Sequence, residues 1–189
     1  QTRIIAECNA DDVAGVIIFG TELRPENEPF LEGIQKPLVI YDTILETEKY
    51  PMVVIDNRQG VELAVNELLA KGNTDIQYLS NPMQMYNYLS RQRGFLEIMK
   101  KKGLGDASDR IIKTGSTVED VRKMMKRYLK TERLPQAFVM ESYHVSVGTI
   151  MVMQELGIHI PENVSLIGID ALPSFLTGGI NLTCIRVPH

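Results

Sequence analysis

Apolar and polar positions alternate along this chain in two repeating forms. Short apolar runs of four to six residues end on a polar or acidic residue. Longer stretches repeat their apolar positions with the three-and-four spacing of a helix. The clearest short runs are residues 14–20 (AGVIIFG), 37–42 (PLVIYD), 52–56 (MVVID), 76–80, 137–140 and 164–170 (VSLIGID). Runs of this kind read as strands buried on both faces of a parallel sheet. Residues 111–112 and 182–187 add shorter extended segments.

Between the runs lie the helices. Val61, Ala64, Val65, Leu68 and Leu69 share one helical face, with Gly72 as the stop. Residues 89–102 follow, with Phe95, Leu96 and Met99 inward and Gly103 as the stop. Ser116-Thr117-Val118-Glu119 has the form of a capping box that opens the next helix, over Val121, Met124, Met125, Tyr128 and Leu129. Residues 145–156 are apolar on most sides, which predicts a central helix ending at Gly157. Residues 1–9 read as the tail of a helix, and residues 27–34 as a short one. Residues 81–88 read as a polar loop bearing Met and Tyr. Strand and helix alternate throughout, which calls for an α/β fold of parallel sheets flanked by helices. The pause near residues 56–60 suggests a boundary between two lobes.

With 189 residues, the chain is long enough for two small lobes with separate cores. A net charge of −4 argues against this segment gripping a phosphate backbone by itself. The basic run Lys100-Lys101-Lys102 reads as the solvated end of a helix, where cations suit the dipole. Cys8 and Cys184 lie far apart without metal-ligand spacing, which fits a reducing cytoplasm. No run is apolar and long enough to span a bilayer, and no signal peptide opens the chain. His144, His159 and His189 have no spaced partners for a metal, and no phosphate loop or nucleophile elbow occurs. The sequence points away from an enzyme and calls for no metal and no cofactor.

Candidate chemistry gathers where strands end. Asp42, Asp56, Glu141 and Asp170 each follow an apolar run. In open α/β sheets ligands bind beyond the carboxyl ends of the strands. Parallel strands would therefore collect these acids on a rim, unless they cap the helices that follow. Capping is the reading for Asp56, because a helix follows at once. Loops follow Asp42 and Asp170, which leaves both open to a ligand role. Carboxylates with few bases suit a neutral polyhydroxylated ligand, because each accepts hydroxyl hydrogen bonds. Arg91 or Arg93, at the start of a helix, would add a fork of donors, with a surface ion pair as the alternative.

Several pieces taken together resemble the effector-binding domain of the lactose- and purine-repressor (LacI/GalR) family of bacterial regulators. They are VAGVIIFG, PLVIYD, VVIDNRQGVELAVNELLAKGNTDIQYLS, RQRGF, LGIHIPENVSLIGID and LTCIRVP. The resemblance implies the two-lobed, periplasmic-binding-protein-like (type I) fold, with strands crossing between lobes and a ligand in the cleft. It implies a partial N-lobe over residues 1–57, a C-lobe over 58–181 and a crossover back towards the N-lobe over 182–189. By position, Asp42 resembles the N-lobe acid that meets the ligand. Arg91, three before Gly94-Phe95, resembles the arginine that forks onto it, and Asp170 the C-lobe acid. Met85 and Tyr86 fall in the loop that shapes the pocket.

Some positions depart from the family pattern. Ser142-Tyr143 stand where the family often has Asn-Asp. No aromatic lies near Thr117, so Tyr143 or Tyr86 would substitute for it, and Ala171 follows Asp170 where the family has an acid. The family's helix-turn-helix and hinge, the first strand, helix and second strand of its N-lobe, and its last helix and strands are not in the sequence. The resemblance implies a cytoplasmic homodimer that senses a small-molecule effector, a sugar or related polyol. It would control operator DNA allosterically through a helix-turn-helix outside this chain, with no membrane partner. The alternative within the fold is an extracytoplasmic sugar-binding protein of an ABC transport system. A Rossmann-like enzyme is a third reading, and its glycine fingerprint is missing.

Overall fold

A computed structural model describes residues 2–186, without the side chains of Thr2, Pro25 and Ser174. His189 and the end of the expected last extended segment lie outside the described residues. The chain forms two compact units. One runs up to Ile55 and includes Met85–Asn87; the other comprises Asp56–Gln84 and the chain from Tyr88 on.

The first unit holds helix α1 (Thr2–Cys8), strand β1 (Val16–Phe19), helix α2 (Glu28–Glu32) and strands β2 (Leu38–Tyr41) and β3 (Met52–Val53). The strands form a parallel sheet in the order β1-β2-β3, with Val16 opposite Leu38 and Ile40 opposite Met52. Leu31, Ile34, Leu38 and Ile40 form its small core, with Cys8, Val16 and Ile18 packed against them. The period-two pleat turns Ile17 and Phe19 the other way. They are 70% and 75% exposed, and Val53 on β3 is exposed too. The expectation that residues 14–20 are buried on both faces is therefore corrected, because α1 and α2 supply apolar cover to one face only. The run at residues 52–56 is likewise shorter as a strand than expected: only Met52 and Val53 pair with β2.

The second unit contains α3 (Asn57–Ala70), β4 (Ile76–Ser80), α4 (Tyr86–Lys101, whose first two residues belong to the first unit), β5 (Ile111–Lys113), α5 (Val118–Thr131), β6 (Ala137–Met140), α6 (Tyr143–Glu155), β7 (Ser165–Ile169) and β8 (Thr183–Ile185). Its five strands are all parallel, in the order β5-β4-β6-β7-β8. Here both sheet faces are covered. Val61, Ala64, Val65 and Leu68 of α3 and Phe95, Ile98 and Met99 of α4 pack on Ile76, Tyr78, Ala137, Val139, Ile167 and Ile169. On the other face, Val121 and Met125 of α5 and Val145, Ile150 and Met153 of α6 pack on Leu79, Phe138, Met140 and Leu166. Every residue of β6, the middle strand, is buried, as its unbroken apolar run predicts. Gly72 and Gly157 end α3 and α6 at positive φ, 83° and 66°, a conformation that costs other residues strain.

Helix starts hold two further corrections. The cap of α5 is Thr117, whose hydroxyl accepts from the Asp120 N–H at 3.2 Å and donates to the Asp120 carboxylate at 2.6 Å. The expected box at Ser116 and Glu119 is thus displaced by one residue, and the Asp120 carboxylate accepts from the Thr117 hydroxyl instead of from the cap's backbone N–H. The expected loop over residues 81–88 ends early, since α4 already begins at Tyr86.

Candidate functional site

The carboxyl ends of the strands carry the four acids, and the structure treats each differently. Asp56 is the N-cap of α3 and accepts from the Gln59 N–H at 2.9 Å, which is the capping reading. Glu141 does not stand on an open rim. It is fully buried, and three elements donate to its carboxyl group: the Tyr78 hydroxyl at 2.8 Å, the Asn81 N–H at 2.5 Å and Gln92 Nε2 at 3.5 Å. Asp42 and Asp170 follow β2 and β7 directly and are half-buried. They are also the only non-glycine residues at positive φ among those described, 74° and 85°. Left-handed backbone at a non-glycine is uncommon, and Asp tolerates it better than most residues. At both strand ends the chain turns sharply while keeping a carboxylate there, and such turns gather at functional sites.

Within the first unit, Asp42 Oδ2 accepts from Thr21 Oγ1 and from Asn87 Nδ2, each at 2.8 Å. Its Oδ1 is buried and has no hydrogen-bond partner. Most buried polar atoms are paired, so a solitary carboxylate oxygen calls for an explanation. Met85 and Tyr86 belong to the same unit as Asn87 and are half-buried.

Within the second unit, Arg91 is 5% exposed and makes no ion pair among the described residues. Its Nε donates to Asn57 Oδ1 and its Nη1 to the backbone carbonyl of Glu141, both at 2.8 Å. The surface ion pair weighed for it is therefore replaced by two neutral acceptors, and Nη2 is the nitrogen left over. The motif around it explains the reach. A Cβ on Gly94 would lie 3.0 Å from Arg58 Cα, so the glycine lets α4 approach the first turn of α3. One turn before Gly94, Arg91 then meets Asn57. Arg93 is exposed.

Ser142, the residue at the start of α6, is buried, and its Oγ makes no capping bond. Tyr143 is partly exposed and meets His144 edge-on. The Asp170 N–H is held by the Ile185 carbonyl at 3.1 Å, and its carboxylate makes no hydrogen bond to another described residue. Burial raises the Tyr88 hydroxyl against its hydrogen bond with Ser142 and the Arg91 charge, and the Glu141 and Asp170 charges add to the rise. Burial likewise pushes the Glu141 carboxyl up to about 7, against the hydrogen bonds from Asn81, Tyr78 and Gln92 and the Arg91 charge. Burial also raises the Tyr78 hydroxyl well above its ordinary value.

The structure thus gathers Arg91, Glu141 and Ser142 at one place and ties Asp42 to Asn87, while Asp42 belongs to a different unit from Arg91 and Asp170. Sequence reasoning missed Thr21, Asn57, Asn87 and Tyr88. Asn57 was within reach, because it opens the helix after Asp56 and lies beside the residue that Gly94 approaches. Among the described residues, no cluster of His, Cys, Asp or Glu fits a metal ion. No helix among them is long and apolar enough to cross a membrane.

Residues 65–188 match the family model of the periplasmic binding protein-like domain. The HTH-type transcriptional repressor PurR of Actinobacillus pleuropneumoniae is 25% identical over 162 residues, 86% of this chain and 48% of the relative. Catabolite control protein A of Priestia megaterium is 23% identical over 159 residues, 84% of this chain and 48% of that protein. The chain therefore spans about half the length of these curated relatives. A sugar-binding transcriptional regulator of the LacI family from Escherichia coli, crystallised with phosphate, superposes with a TM-score of 0.73 at 21% identity. That match covers 86% of this chain and 59% of the other. The fold is that of the effector-binding domains of LacI-family regulators.

Proposed function

Since the chain belongs to the periplasmic binding protein-like domain family, we propose that it is the effector-sensing domain of a LacI-type transcriptional regulator. Its effector is a neutral polyhydroxylated molecule of the sugar class, read at strand ends. The residues we assign to its recognition are Asp42, Met85, Tyr86, Arg91, Ser142, Tyr143 and Asp170. The observation that carries this reading is Asp42 Oδ1, a buried acceptor with no donor. An ionised carboxylate oxygen only accepts, so a ligand hydroxyl completes it where a phosphate or carboxylate would repel it. Arg91 Nη2 then supplies N–H donors and the Asp170 carboxylate further acceptors, a mixture that matches hydroxyl groups. The effector favours one of two conformations and so shifts the population competent for operator DNA. DNA contact is the work of a helix-turn-helix of the kind named in the PurR relative, in a homodimeric regulator.

The test is a thermal-shift screen of the intact protein against neutral monosaccharides, polyols, nucleobases and sugar phosphates. A specific ligand at a hundred times its Kd stabilises by about 2.7 kcal/mol. A neutral sugar should raise the melting temperature of the wild type and raise that of Asp42→Asn by clearly less, about half or below at the same concentration. Stabilisation by nucleobases or phosphates alone would replace the sugar reading.

A further inference from the structure

The residue whose carbonyl holds the arginine is itself a buried acid. We propose that Glu141 is the positioning residue for Arg91, and that its ionisation sets how strongly Arg91 attracts an acceptor group. The geometry supports this through one residue used twice. The backbone carbonyl of Glu141 receives Arg91 Nη1 at 2.8 Å. Its side chain turns inward to the Tyr78 hydroxyl of β4, the Asn81 N–H just past β4, and Gln92 of α4. The carboxyl group therefore clamps the end of β6 to the end of β4, and the clamped carbonyl holds the guanidinium.

Both protonation states satisfy this clamp. The ionised group accepts from Tyr78 and from the Asn81 N–H. The neutral group keeps the Asn81 bond and donates its own proton to the Tyr78 oxygen, since a phenol is donor and acceptor alike. Gln92 Nε2 has Ser80 Oγ as its better acceptor, at 2.8 Å. Protonation therefore changes the charge at this place and spares the packing. The charged and titratable groups facing Glu141 are Tyr78 from β4 and Arg91 and Tyr88 from α4, with the Asp170 charge acting on Tyr88. Arg91 is the one cation among them. The Glu141 carboxyl feels the Arg91 charge, and where water is excluded its ionised form in turn offsets part of the Arg91 field. Ionised Glu141 favours neutral ligands at Arg91, and neutral Glu141 leaves the full positive field for an acceptor or anion. The burial that raises this carboxyl places the changeover near neutral pH.

The consequence for binding rests on the effector reading, but its test needs no ligand, so the two stand or fall separately. In protein labelled with 15N and 13C, the Glu141 carboxyl carbon and the Arg91 Nε–H cross-peak are followed from pH 5 to 9. The two signals should move together with a midpoint of about 7. In Glu141→Gln the Arg91 signal should stay flat. Should that variant fail to fold, Tyr78→Phe removes a hydrogen bond that on balance favours the ionised form and should raise both midpoints together. The proposal is overturned if the wild-type Arg91 signal is flat while Glu141 titrates. It is overturned equally if the Arg91 midpoint persists in Glu141→Gln, or if Tyr78→Phe moves one midpoint without the other.

Discussion

Phe19 and Phe138 both stand on short apolar strands of parallel sheets, and they meet different surroundings. Phe19, on β1 of the first unit, is 75% exposed and touches Tyr41 edge-on. Phe138, on β6 of the second, is fully buried among Leu79, Met125 and Ile150, with Tyr128 edge-on at 6.2 Å. The difference lies in what covers each sheet. The five-stranded sheet has helices on both faces, and the three-stranded sheet is covered on one. An apolar strand contributes to stability only through the surface that packs on it.

The sharpest way to break this comparison is to truncate both rings. Phe138→Ala should cost about 3–5 kcal/mol, the transfer and cavity cost of a buried aromatic. Phe19→Ala should stay within about 0.5 kcal/mol, as exposed positions do. Urea denaturation of the two variants measures both. A loss of several kcal/mol at Phe19 would mean that its face is covered in solution, and the contrast between the sheets would fail.

A second contrast sets the strand-end acids against one another. Glu141 holds its proton up to about 7 in the folded chain, against an ordinary 4.5. Between those values the native state binds a proton that the unfolded chain has released. The stabilisation from this group is therefore complete below pH 4.5, is lost as pH rises towards 7, and changes little above it. The loss is on the order of 3 kcal/mol, from the size of the shift. Denaturation midpoints at pH 5 and pH 8 should differ in the wild type and draw together in Glu141→Gln. An unchanged pH dependence in the variant would show that the carboxyl is not the group responsible.

The smallest effect separates the two possible caps of α5. Thr117→Ala should cost about 1 kcal/mol, and Ser116→Ala should be within about 0.5 kcal/mol. Equal losses would move the cap back towards Ser116.

These contrasts mark how far the sequence could be read. The strands and helices were legible because apolar periodicity is a local property, and α3 and β6 follow theirs closely. VIIF in β1 reads like a doubly buried strand, yet its cover depends on what packs there, which no local pattern records. The acids at the ends of β2, β6 and β7 look alike in sequence. Their fates were set by the backbone turn at each and by partners distant in the chain, such as Thr21 for Asp42 and Tyr78 for Glu141. Asp56 was legible as a cap because its partner is three residues away. Arg91 was placed by its spacing from Gly94. Its burial and its neutral acceptors were hidden, since Asn57 lies 34 residues away and the Glu141 carbonyl 50.

The central proposal is that Asp42, Arg91 and Asp170 each contact the effector. Calorimetric titration of the intact protein with the sugar that stabilises it tests this directly, using wild type, Asp42→Asn, Arg91→Ala and Asp170→Asn. Each substitution should weaken binding by about tenfold or more, the worth of a charge-assisted hydrogen bond, while the circular dichroism spectrum is unchanged. Wild-type affinity in all three folded variants would contradict the account.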